Sequence, residues 1–271
     1  MLEILSYWFF QNALLAWVLV SLIAWFLGPL VVLRKEPNIT HAISNILFLG
    51  IVVSFFFSGN YYLFWIISAI IGIIFLSLIE KYTKTSRESS KEILAQIWLA
   101  WGIFLVGFLW NMQLDIFNFL FGNILFVKVS DIYLLLGLLF CTVICAYFFW
   151  KKMLRVILSP EIAKSQGIKT GIYNFLYLLF LSLFIAFSVK IFWVMLLWAF
   201  LVFPANIWKN LSGSITGVFL ISLIVSVFSV VTGLFGSYYA DSSAGATIVL
   251  LLAFLLLLST AKFYTTARSF D

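Results

Sequence analysis

The sequence predicts an all-α protein: a polytopic transmembrane bundle of about nine spans, N-terminus outside and C-terminus cytoplasmic. Three observations predict it. Hydrophobic residues fill 65% of the 271 positions and charged residues only 10%, against roughly 45–50% and 25% in a soluble domain. The apolar stretches run to about 20 residues, the length at which a helix crosses lipid with its backbone groups paired internally. The cations, finally, are segregated. With successive connections on alternate sides, Arg34, Lys35, Lys81, Lys84, Arg87, Lys91, Lys151, Lys152, Arg155, Lys164, Lys169, Lys209, Lys262 and Arg268 fall together, fourteen against Lys128 and Lys190 opposite. This bias orients the chain and makes its net charge of +6 a topological signal, with membrane lipid and not nucleic acid as the partner.

In chain order the spans are expected near 8–33, 41–57, 60–79, 93–110, 131–150, 172–189, 191–208, 214–235 and 244–262, within one domain, 1–271. The first follows Glu3 without a basic start and runs past Gly28, unlike a cleaved signal peptide. In the fifth, Cys141 and Cys145 lie one helical turn apart with no His or carboxylate in the stretch, and read as small apolar fillers. Three longer connections remain: basic loops at 80–92 and 151–171, and an apolar insert at 111–130. Within the insert, residues 114–127 are too apolar for a solvated loop and too short to span, which suits a re-entrant or interfacial segment on the outer face.

The segment 159–167 carries helix punctuation. Ser159 is placed to cap the first amides, Pro160 stands where a missing N–H costs nothing, and Glu161 complements the positive helix end. Gly167 is suited to a left-handed C′ position. So short a helix is marginal alone and needs a surface to pack against. No segment pairs a glycine-rich turn with Lys and Ser or Thr in the phosphate-binding spacing, so the chain is not expected to bind ATP by that route and any energy source must come from elsewhere.

Taken in order, Gly28-Pro29-Leu30-Val31-Val32-Leu33-Arg34 leading to His41-Ala42, Leu120-Phe121-Gly122-Asn123-Ile124-Leu125, Ser159-Pro160-Glu161-Ile162-Ala163 with Gly167, and Tyr238-Tyr239 with Asp241 and Gly245 resemble the permease of bacterial zinc and manganese ATP-binding-cassette importers. Arg87-Glu88 opening the fourth span and Pro204-Ala205 closing the seventh extend the likeness over nearly the whole chain. The resemblance implies a multi-pass permease of the bacterial inner membrane. It also implies a permease homodimer, a cytoplasmic ATP-binding subunit and an extracytoplasmic metal-binding protein. Segment 159–167 would be the coupling helix, through Ser159, Glu161, Ala163 and Gly167, and the insert would lie where the binding protein docks.

His41, the sole histidine, stands at the start of the second span, where a neutral imidazole can ligate zinc or simply bond at a helix end. The resemblance implies an Asp one turn before it, where this sequence has Pro37. Asn38 can offer a weaker, uncharged oxygen, and Gln96 stands where some relatives carry a second His. His41, Asn38 and Gln96 are therefore the expected metal contacts. Zinc is the expected cargo, with manganese or iron as alternatives and no tightly bound cofactor. Asp241 is expected to cap the last span, and Glu3, Asp115, Asp131 and Asp241 to make a mildly acidic outer entrance. Two other classes compete. A permease for a metal chelate such as cobalamin or a siderophore would have a longer chain and a wider path. An intramembrane enzyme would need paired ionisable residues inside spans, which are lacking here.

Overall fold

The protein, seen in a computed structural model, is described over residues 8–36, 38–57, 61–82, 87–108, 127–189, 194–211 and 214–268. These form ten helices: α1 (Trp8–Leu33), α2 (Ile39–Phe56), α3 (Tyr61–Tyr82), α4 (Arg87–Val106), α5 (Val129–Leu158), α6 (Pro160–Ser165), α7 (Thr170–Val189), α8 (Val194–Leu211), α9 (Ile215–Tyr239) and α10 (Ala244–Arg268). Six contain segments long and apolar enough to cross a membrane: Phe10–Leu33, Ile39–Phe56, Val129–Leu158, Thr170–Val189, Gly217–Tyr239 and Ala244–Ala261. The expected insert at 114–127 lies outside the described residues, apart from buried Val127.

The two basic loops are shorter than expected. α3 continues to Tyr82 and α4 starts at Arg87, while α5 carries Lys151, Lys152 and Arg155 to Leu158 in unbroken helix. Lys, Arg and Glu are good helix formers, and cations near a helix C-terminus are favoured by its dipole. Charge ends a hydrophobic span, not the helix that contains it.

Contacts divide the chain into two compact units, each described by itself. The first comprises residues 1–35, 124–140 and 195–271. In it α9 packs against α1 and α10. Trp17, Val20, Ile23, Leu27 and Leu30 of α1 are buried, and the Phe10 and Phe235 rings meet at 5.8 Å. Gly28 lies directly against the Leu201 carbonyl of α8, a closeness that only a residue without Cβ permits. Ser214 caps α9 by accepting from the Gly217 amide at 3.3 Å, and its own carbonyl accepts from Trp208 Nε1 at 2.9 Å.

The second unit comprises residues 36–123 and 141–194. Its central helix is α2, packed by α3, α4 and α7 and buried on most of its circumference. Ser68 Oγ of α3 donates to the Ile46 carbonyl of α2 at 2.7 Å, beside the close approach of Ser68 to Gly50. On α4, Gly102 makes room for the Phe48 ring, and Leu99 and Val106 pack on Phe48 and Val52. The short helix α6 lies against α7.

Candidate functional site

α2 and α4 both begin beside one cavity of about 260 Å³, lined by Glu36, Asn38, Ile39, His41, Ala42, Asn45, Glu92, Ala95 and Gln96. On α2, His41 and Asn45 are one turn apart, as are Glu92 and Gln96 on α4, so each helix turns one polar stripe to the same space. Ile39, Ala42 and Ala95 are buried and form the apolar wall. Farther along both helices the stripe becomes apolar, where Phe48 meets Gly102 and Leu99. The cavity therefore occupies the first turns of two helices that run in the same direction.

All three expected metal contacts, His41, Asn38 and Gln96, line this cavity. His41 is half-buried and Asn38 and Gln96 are exposed. Pro37, where the family resemblance placed a carboxylate, lies outside the described residues. Sequence reasoning missed Glu36, Asn45 and Glu92. Glu92 had been counted in a basic loop because its charge ends the hydrophobic stretch; once α4 starts at Arg87, it stands one turn before Gln96. That helical spacing was the available signal. Among the described residues no three His, Cys, Asp or Glu side chains converge to hold an ion, so the donors line a wall rather than close a chelate. Cys141 and Cys145 are free thiols and are not among the residues that line the cavity.

The segment 159–167 folds as its punctuation foretold at one end and differs at the other. Gly167 takes φ +73°, its amide donates to the Lys164 carbonyl at 3.1 Å, and the Ile168 amide donates to the Ala163 carbonyl at 3.0 Å. This pair of bonds satisfies carbonyls that the helix end would otherwise leave open. Ser159, expected to cap through its side chain, makes no such bond: it holds the N-cap place through its backbone, its carbonyl accepting from the Ala163 amide at 3.0 Å and its amide donating to the Arg155 carbonyl at 2.9 Å. Ala163 is fully buried, whereas Glu161, Ile162 and Lys164 are exposed. Arg155 at the end of α5 braces the turn, donating from Nη1 to Gln166 Oε1 at 3.2 Å.

Two of the acidic residues expected at an outer entrance have structural tasks. Asp131 is buried and accepts from the Lys128 amide at 3.0 Å, closing the start of α5, so it does not belong to an acidic surface. Asp241 does not cap α10. It takes φ +46° after α9, and the Ser242 amide reaches back to the Ser237 carbonyl at 3.0 Å.

A family model described as the ABC 3 transport family matches residues 6–263. The chain belongs to that family. It is 30% identical, over 92% of its length and 96% of the relative's, to the high-affinity zinc uptake system membrane protein ZnuB of Haemophilus influenzae. It is 25% identical, over 92% of its length and 85% of the relative's, to the manganese transport system membrane protein MntC of Halalkalibacterium halodurans. Among solved structures, PsaBC from Streptococcus pneumoniae in complex with Fab superposes with a TM-score of 0.83 at 26% identity, covering 94% of this chain and 92% of that one. This ABC 3 family member is thus a multi-pass membrane protein, in bacteria one of the inner membrane, and a transport component rather than an enzyme.

Proposed function

We propose that this chain is the membrane-spanning permease of an ATP-driven divalent metal importer, carrying zinc or manganese. The observation that carries the reading is the cavity in which His41, Asn38 and Gln96 meet at the start of α2 and α4. An imidazole with amide and carboxylate oxygens suits a borderline or hard dication. A wall of donors short of a closed chelate also suits a path, because conduction needs release as well as entry. Zinc and manganese are the cargoes named for the two relatives above. A volume of about 260 Å³ fits an ion with some of its water but falls below the roughly 300–1,000 Å³ of pockets for drug-sized molecules, so the metal-chelate alternative is disfavoured.

In this reading about nine helices cross the bilayer with the N-terminus outside and the C-terminus cytoplasmic, supported by the cation bias and the nine long helices among the described residues. The cavity then opens at the cytoplasmic end of α2 and α4. α6 lies on the same side as the coupling helix, with Glu161, Ile162 and Lys164 turned outward to a separate ATP-binding subunit and Ala163 anchoring it inward. The remaining partners are a second permease copy, an extracytoplasmic metal-binding protein and the surrounding lipid.

The test is uptake of radioactive zinc and manganese by proteoliposomes holding the permease, its ATPase and its binding protein. His41→Ala should raise the half-saturating metal concentration about tenfold or more. Unchanged uptake of both metals would refute the assignment of His41.

A further inference from the structure

The second half of α5 presents one exposed face whose chemistry changes along its length. Ile144, Tyr147, Phe148, Lys151 and Arg155 follow one another at helical spacing, so they stack on one side, and all five are exposed. Lys152 stands beside them, exposed as well, while Cys145, Met153, Val156 and Ile157 turn inward and are buried. Tyr147 is 84% exposed and Phe148 69%, and their rings meet edge to face at 5.4 Å. Apolar surface so open suits acyl chains, and α5 is long and apolar enough to cross a bilayer. From Cys141, also exposed, to Lys151 the helix rises about 15 Å, half of a hydrocarbon core of roughly 30 Å. One leaflet therefore separates the start of this face from its cations, which stand at headgroup depth. Between residues 151 and 171 the sequence sets Lys151, Lys152, Arg155, Lys164 and Lys169 against one acid, Glu161.

We propose that this face binds an anionic phospholipid, its headgroup held by Lys151, Lys152 and Arg155 and one acyl chain laid along Phe148, Tyr147 and Ile144. The proposal needs α5 to cross the bilayer and does not depend on which metal is carried. Charge complementarity selects the occupant. A zwitterionic lipid offers the same chains but no net negative charge for three adjacent cations. A second copy of the chain is a poorer fit, because a two-fold axis along the membrane normal would set this face against itself at equal depth. Each cation would then meet its own counterpart, and like charges so juxtaposed are strongly disfavoured. Arg155 already donates from Nη1 to Gln166 Oε1 at 3.2 Å, yet a guanidinium carries five N–H donors, so further donors serve a phosphate. The same residue thus joins the headgroup to the turn that follows α6, and the lipid sits at the base of that helix.

The experiment places the full-length permease, alone and with its ATPase, in phosphatidylcholine nanodiscs. Each contains a trace of phosphatidylglycerol or phosphatidylcholine bearing a photoactivatable diazirine in one acyl chain. Mass spectrometry reads the labelling of the peptide that spans residues 141–150. Phosphatidylglycerol should label it about tenfold or more above phosphatidylcholine, since each cation near a membrane surface contributes about fivefold. Lys151→Gln combined with Lys152→Gln should bring the ratio close to one, whereas Lys151→Arg with Lys152→Arg should preserve it. Labelling by phosphatidylcholine should be equal in all three proteins, which shows that the variants insert and fold alike. Equal labelling of the wild type by the two lipids would overturn the site, and so would a preference that survives the glutamine pair. A preference that vanishes when the ATPase is added would assign the cations to that subunit instead. Absence of labelling by either lipid, together with a Cys141 disulfide between two permeases under mild oxidation, would assign the face to a second copy.

Discussion

The Ile168 amide reaches over Gly167 to the Ala163 carbonyl at 3.0 Å, and the bond exists because Gly167 holds φ +73°. A Cβ at Gly167 would meet nothing within 4 Å, so the demand on this residue is one of backbone conformation and not of space. A side chain there costs roughly 1–2 kcal/mol, and more when β-branched. Gly167→Val is expected to insert and assemble normally yet lose much of its ATP-driven metal uptake, because the turn fixing α6 opens. Gly167→Asn should fall between. Uptake per assembled complex measures this, and full activity in the valine variant would count against a coupling role.

Gly28 poses the opposite problem. A Cβ there falls on the Leu201 carbonyl, which is backbone and cannot swing aside. Gly28→Ala should destabilise the packing of α1 on α8 by about 1–3 kcal/mol, the range for overpacked sites. Gly137 of α5 has nothing within 4 Å of its Cβ position, so Gly137→Ala serves as the control. Thermal midpoints in detergent should show Gly28→Ala below wild type and Gly137→Ala at or above it; equal midpoints would contradict the close approach.

Two other helices end through left-handed residues that are not glycine, Lys35 at φ +59° after α1 and Asp241 at φ +46° after α9. Asp tolerates this region through its short polar side chain, whereas Lys has no such help. Lys35→Gly should therefore raise the thermal midpoint, by up to about 1 kcal/mol of stability, and Asp241→Gly by less. A lower midpoint for Lys35→Gly would mean that its side chain contributes more than its backbone strain costs.

Local chemistry made some of these features legible. Gly167 was readable because left-handed helix ends favour one residue type; His41 stood out as the sole histidine, Asn38 by its place three residues before it, and Gln96 through the family resemblance alone, and the three line one cavity. Ser159, Asp131 and Asp241 were less readable, since one residue type can cap a helix start, close a helix end or face solvent. Glu92 was hidden by its own charge, which hydropathy took for a loop although the helix ran through it.

Sequence alone determined that the chain is helical and membrane-embedded, because lipid gives an unpaired backbone no alternative partner and long apolar runs leave only one economical solution. It also determined the turn after α6, whose bonds lie within a few residues. Only tertiary structure decided that Glu36, His41, Asn45, Glu92 and Gln96 share one cavity. That meeting depends on the register of α2 against α4, fixed where Phe48 settles onto Gly102. Such a register arises from side-chain shapes far apart in sequence, and periodicity along either helix carries no record of it.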